Sequence, residues 1–155
     1  MEYIEKLRSM VGHEKVIMVI AGAFVFDGEN RLLLQQRSDT GEWGLPGGFM
    51  EMDERVQDTV KREVVEETGL RIKTLELFGI YSGSDYDKTF ENGDQVSMVQ
   101  ILFICRQYEG ELVGQTTESL NNKFYNLAGL PDNIFPDHRV FFEDLLSDHQ
   151  LPIIK

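Results

Sequence analysis

The chain has one cysteine, four prolines and three histidines among its 155 residues, and few basic side chains. A lone cysteine, Cys105, excludes an intrachain disulfide and a cysteine-based zinc site. It lies in the apolar run 101–105, so a buried, inert thiol is expected there rather than a nucleophile. His13, His138 and His149 are scattered, with no ligand spacing to suggest a zinc site or a histidine base. Fifteen Lys and Arg face 27 Asp and Glu, a formal net charge of −12. That balance excludes a surface gripping a nucleic-acid backbone through clustered cations. An acidic chain still binds an anion where a bound cation reverses the local field. No stretch reaches the roughly 18 apolar residues of a membrane span. Residues 1–10 carry Glu2, Glu5, Lys6 and Arg8 without the apolar core of a secretory signal, so a cytoplasmic protein is expected. Hydrophobic residues at 41% and charged residues at 27% exclude a disordered chain and fit one domain over 1–155.

Local patterns divide the chain into alternating elements. Tyr3, Ile4, Leu7, Met10 and Val11 recur at helical spacing and predict an amphipathic helix over 1–12, able to pack on its own domain or on a second copy in a homodimer. Residues 15–26 are rich in Val and Ile and read as a buried strand. Asp27-Gly28-Glu29-Asn30 has turn chemistry and 31–37 resumes as a strand, so the two are expected to form a hairpin. Pro46-Gly47-Gly48 marks a backbone bend that nothing bulky shields. Residues 54–68 contain no Gly or Pro and end at Gly69, which predicts a helix with a glycine stop. Strands are expected over 70–81, 95–106 and 123–127, with an acidic loop over 82–94. Asp137 is expected to cap a C-terminal helix carrying Val140, Phe141 and Leu145. No repeat or linker interrupts this order, and the class is α+β, with helices packed on a mixed sheet.

Within the helix over 54–68, Val56, Val60, Glu63 and Glu67 follow one stripe. The valines should face the core, so Glu63 and Glu67 continue toward protein, and Glu66 lies about 60° from Glu63 at about 100° per residue. Like charges at i, i+4 repel, and carboxylates at a helix C-terminus oppose the macrodipole. A Mg²⁺ or Mn²⁺ ion would remove these penalties, because hard cations seek clustered carboxylate oxygens. A solvated glutamate face, helped by Arg62, is the competing reading, and spacing alone leaves both open.

The wider pattern goes further. Gly48 is followed after five residues by Glu54, and after seven more by Arg62-Glu63-Val64-Val65-Glu66-Glu67-Thr68-Gly69-Leu70. This resembles the Nudix box of the MutT-like hydrolases at every specified position, a match whose chance occurrence in this chain is on the order of 10⁻⁷. Leu33 to Arg37, and Trp43-Gly44-Leu45-Pro46-Gly47-Gly48, are similar to the usual approach to that box, over residues 14–70 in all. Asp53 departs from it, because many members carry Gly before the first box glutamate.

The resemblance implies a mixed sheet sandwiched between helices (α/β/α), with the box over 48–70 as loop, helix and loop. It implies Glu63 and Glu67 as principal metal ligands and Glu66 as a further ligand or the base. It also implies the Gly47 carbonyl as a backbone ligand and Arg62 as the residue orienting the glutamates. Glu54 would support the site as partner of Arg62, with Gly48 and Gly69 shaping its backbone. Glu118 lies where a late loop glutamate serves as ligand or base. Arg37 is a candidate for a substrate phosphate and Trp43 for stacking on a base. Tyr86, 16 residues past Leu70, stands near where a tyrosine occurs in members cleaving diadenosine polyphosphates. The implied activity is metal-dependent cleavage of a phosphoanhydride bond in a small nucleotide: a nucleoside diphosphate linked to another group, or a nucleoside triphosphate. The alternatives are a dinucleoside polyphosphate hydrolase and a non-catalytic nucleotide sensor. Sensors usually lose box glutamates, and all four are present here with Arg62. Processing of RNA 5′ ends is disfavoured by the acidic balance.

Overall fold

The computed structural model describes residues 2–155; Met1 of the expected N-terminal helix lies outside the described residues. In chain order the elements are α1 (Glu2–Val11), β1 (Val16–Val25), β2 (Leu32–Arg37), β3 (Trp43–Gly44), β4 (Gly47–Phe49), α2 (Val56–Thr68), β5 (Arg71–Ile72), β6 (Glu76–Tyr81), β7 (Asp87–Thr89), β8 (Gln95–Cys105), β9 (Tyr108–Glu109), β10 (Ser119–Tyr125), α3 (Arg139–Leu146) and β11 (Ile153–Ile154). A mixed sheet runs β11-β6-β8-β1-β4, with β7 also paired to β8. Its spine is the parallel β1–β8 ladder, in register from Val16↔Val96 to Val25↔Cys105. A smaller sheet, β10-β2-β3, and the pair β5-β9 complete the strands.

Alternation along the spine explains the layers. Ala21, Ala23 and Val25 of β1 and Phe103 and Cys105 of β8 bury against Val60 and Val64 of α2. The intervening Phe24, Leu102 and Ile104 bury against Phe141 and Phe142 of α3. Period-2 patterning thus places the two helices on opposite faces of one sheet, the α/β/α arrangement that the sequence predicts. Tyr3, Ile4 and Leu7 of α1 pack on Met18, Val96 and Met98 of the same chain. Cys105 is fully buried, its thiol donating to the Gln107 carbonyl, and burial pushes its pKa up.

Several expectations are corrected. β1 and β2 do not form a hairpin: β8 and β4 occupy the two edges of β1, and β2 joins the smaller sheet. Across the turn a Phe26↔Leu32 bridge links them, with the Asp27 N–H donating to the Arg31 carbonyl beside it. The strand expected over 70–81 is broken into β5 and β6. Asp137 does not cap α3, which is entered through a 3-10 turn over Pro136–His138 and has no side-chain cap; Asp137 instead accepts from Lys88 at 2.6 Å.

α2 behaves as its sequence predicts. Asp58 accepts the Arg55 N–H at its start, and Gly69 closes it in the left-handed conformation, φ 81°, with its N–H on the Val65 carbonyl. Asp53 takes φ 65°, the conformation that glycine at this place adopts freely, so the loop into the helix keeps its turn without the glycine.

Candidate active site

The buried polar stripe of α2 meets the β4 loop and the start of β10. Glu63 and Glu67 are 6% and 4% exposed, whereas Glu66 stands open to solvent. Burial continues along the stripe begun by Val60, which is why both carboxylates point inward. Gly48 makes room for the first of them. A Cβ there would stand 2.3 Å from the Glu63 carboxyl carbon, so no other residue fits without displacing it. The Gly47 N–H donates to Glu67 Oε1 at 3.0 Å.

Glu118 arrives from the far end of the sequence. Ser119 pairs with Arg37 across β10 and β2, and Ser119 Oγ and Asn122 Nδ2 both donate to the Glu67 carbonyl, at 3.2 and 2.8 Å. The strand is thereby tied to the end of α2. Glu63, Glu67 and Glu118 each offer a carboxylate oxygen within 4.8 Å of the others.

Arg62 is spent on the other half of the box. Its Nε and Nη2 form a two-point pair with Glu54 at 2.7 and 3.0 Å, Nη1 reaches Glu63 at 2.8 Å, and Glu66 lies at 3.5 Å. Nη2 also donates to the Phe49 carbonyl. Glu54 further accepts from the Glu51 N–H and Thr59 Oγ1, and with Arg62 these hold its carboxyl down at about 2. The opposite holds for the buried pair. Burial, with repulsion from Glu66 and Glu118, pushes Glu63 up even though Arg62 opposes it. Burial and the charge of Glu63 push Glu67 well up, opposed only by Gln35 and the Gly47 N–H. Among the described residues no cationic side chain pairs with Glu67.

These groups line a cleft of about 460 Å³ that also includes Gln35, Arg37, Gln100, Leu102 and His138. Six carboxylates face it, Asp39, Glu51, Glu63, Glu66, Glu67 and Glu118, against the guanidiniums of Arg37 and Arg62. Such a field repels a diphosphate unless a multivalent cation enters first. Two buried carboxylates held near a third, with Arg62 the one cationic side chain on them, fit a hard divalent cation.

The sequence-predicted residues divide accordingly. Gly47, Gly48, Arg62, Glu63, Glu66, Glu67, Glu118 and Arg37 all line the cleft, with Glu54 behind Arg62 and Gly69 capping the helix below. Arg37 is engaged by Asp39 at 2.9 Å and lies 4.0 Å above the Phe135 ring. Trp43 is not brought there: it is buried, edge-on to Tyr125 at 5.1 Å, because its strand is held between β2 and the 133–135 segment. Tyr86 packs edge-on to Tyr81 and lines a neighbouring depression, so it gives no support to the dinucleoside polyphosphate reading. Gln35, Gln100, Ser119, Asn122 and His138 were missed. The glutamines leave one readable trace, as polar residues inside apolar strands; the others leave none.

A NUDIX domain family model matches residues 16–145. An ADP-ribose pyrophosphatase from Methanocaldococcus jannaschii is 34% identical over 125 residues, 79% of this chain and 69% of the relative. The crystal structure of a MutT protein from Bacillus halodurans superposes with TM-score 0.68 at 30% identity, covering 84% of this chain and 83% of that one. A MutT NUDIX hydrolase from Burkholderia pseudomallei gives TM-score 0.70 at 26% identity, over 84% and 98% of the two chains. The chain belongs to the NUDIX family. It is a Nudix hydrolase.

Proposed function

We propose that this hydrolase is divalent-metal-dependent and cleaves a phosphoanhydride bond in a nucleoside diphosphate linked to a second group, or in a nucleoside triphosphate, in the cytoplasm. The observation that carries the metal requirement is Glu67, 4% exposed, facing Glu63 and Glu118 with no cationic side chain of its own. Glu63, Glu67 and Glu118, with the Gly47 carbonyl, would hold Mg²⁺ or Mn²⁺. When bound there, such an ion would supply positive charge to the phosphate oxygens and make the attacking water easier to deprotonate.

The remaining roles fall to the chain. Arg62, locked on Glu54, fixes the Glu63 carboxylate and holds Glu66 at the cleft mouth. Glu66 accepts the proton of the attacking water, with Glu118 as the other carboxylate open to that position. The new bond forms from water oxygen to phosphorus as the bond to the bridging oxygen breaks. Arg37, steadied by Asp39 and Phe135, meets the phosphate on the far side.

The test is a panel of nucleotide derivatives, ADP-ribose and nucleoside triphosphates among them, assayed with Mg²⁺ and with Mn²⁺. Glu67→Gln should lose at least about 10²-fold in turnover, the scale of removing a transition-state electrostatic contact. Equal turnover by variant and wild type would remove Glu67 from the reaction, and tight nucleotide binding with no turnover across the panel would mark a sensor.

A further inference from the structure

Two neutral polar side chains in the cleft have hydrogen-bonding capacity that the protein does not use. His138, half-buried, packs against Gly44, where a Cβ would stand 2.6 Å from its Nδ1, edge-on with Phe135 and tilted on Phe141. Nδ1 accepts the Leu45 N–H at 3.1 Å. An imidazole that accepts at Nδ1 is neutral and carries its proton on Nε2. Burial, with Arg37 next, drives its pKa down to about 3, so the ring stays in that state at ordinary pH. The charged groups bearing on it are Arg37, Asp137 and Lys88. Its Nε2–H has no acceptor among the described residues. Gln100, 5% exposed on β8, is the second case: its amide reaches only the Met98 sulfur, at 3.7 Å. Both residues line the cleft together with the apolar Leu45 and Leu102.

The His138 Nε2–H and the Gln100 amide open on the cleft, where a substrate group would take the place of water rather than of a protein partner. Neither group carries charge, so neither is suited to compete with Arg37 and a metal ion for phosphate. We propose that His138 is a specificity-determining residue, donating through Nε2–H to an uncharged acceptor on the nucleoside portion of the substrate, with Gln100 as the second polar group of that subsite. This rests on the nucleotide substrate proposed above. The demand is directional: a locked donor donates to a carbonyl, ring nitrogen or hydroxyl oxygen and rejects a group that can only donate.

The experiment reads binding, not turnover. Side-chain nitrogen resonances of the 15N-labelled full chain are recorded from pH 5 to 8, with His138→Phe identifying the signal. The 5′-monophosphates of adenosine, guanosine, cytidine and uridine, which hold no phosphoanhydride bond to cleave, are then added with Mg²⁺ present, with ribose 5-phosphate and inorganic phosphate as comparators. The expected result is a non-titrating ring protonated at Nε2, whose Nε2 resonance moves with at least one nucleotide and not with inorganic phosphate. A matching shift from ribose 5-phosphate assigns the acceptor to the sugar; its absence assigns it to the base. His138→Phe and Gln100→Leu should each weaken that binding by about fivefold to tenfold, the scale of one neutral hydrogen bond. A ring protonated at Nδ1, titration near the ordinary histidine value, a shift caused by inorganic phosphate, or no shift from any of the four nucleotides overturns the proposal. The wild-type resonance needs no variant to fold. Because no step measures hydrolysis, this outcome is separate from that of Glu67→Gln.

Discussion

Two helices on opposite faces of the same sheet each bury a carboxylate, and the two are treated in opposite ways. Asp144 on α3 is 6% exposed and accepts from Tyr81 Oη at 2.7 Å and Lys155 Nζ at 2.9 Å. Burial pushes its carboxyl up, but Lys155 and Tyr81 outweigh that and hold it below its ordinary value. Glu67 on α2 is buried to the same degree, with a backbone N–H for a partner and other carboxylates for neighbours, and is driven up. Burial alone therefore marks neither residue as functional. The difference is whether the fold answers the charge, and the unanswered one lies in a cleft.

That contrast can be broken or sharpened experimentally. The largest expected effect is on removal of divalent ions by a chelator, which should abolish turnover. Restoring Mg²⁺ to about 100 times its dissociation constant should raise the wild-type melting temperature by roughly 5–10 °C. The same rise in Glu67→Gln would show that the ion binds elsewhere. Next, Gly48→Ala should push Glu63 out of place and cost about 10²-fold in turnover, the scale of a misplacement of about 1 Å, while circular dichroism reports an intact fold. Asp144→Asn should do the reverse, losing about 2–4 kcal/mol in urea denaturation with turnover per folded molecule retained.

The smallest effect is the pH dependence of metal-free stability, where the two carboxylates have opposite signs. The raised Glu67 favours folding fully below the unfolded glutamate pKa of about 4.3, and that contribution is lost as pH rises through its folded value. The lowered Asp144 contributes above about 3.9 and loses its contribution as pH falls through its folded value. Denaturation of the metal-free protein near neutral pH should accordingly find Glu67→Gln more stable than wild type by about 1 kcal/mol. A variant less stable than wild type at every pH would mean that the protein already satisfies that carboxylate.

Much of the site was legible because it is local. A helix period converts the spacing of Val60, Glu63 and Glu67 directly into a shared face, and glycines at 48 and 69 mark where the chain must bend or stop. Glu118 was reachable through family resemblance, but its distance to Glu67 depends on the pairing of β10 with β2, which no spacing encodes. The failures have the same origin. Asp27-Gly28-Glu29-Asn30 does turn the chain, with Asp27 accepting from the Glu29 and Arg31 N–H groups, yet a turn does not decide which edges its strands find. Competition from β8 for β1, whose paired residues lie 80 apart along the chain, decided that. His138 was invisible for the same reason: what makes it distinctive is the Leu45 N–H, 93 residues away along the chain. Trp43 offers both stacking on a base and packing beside the Pro-Gly-Gly turn, and packing, the stronger expectation for such an aromatic, is what the fold uses.

The segment between Val113 and Ser119 is staked at both ends to the tip of α2: the Val113 N–H holds the Thr68 carbonyl, and Ser119 and Asn122 hold that of Glu67. Lengthening, shortening or exchanging residues 114–117, which precede Glu118, would reshape the approach to the cleft while leaving Glu118 and the strand after it where they are. Selection can therefore remodel what this enzyme accepts without disturbing the anchorage of its acidic centre.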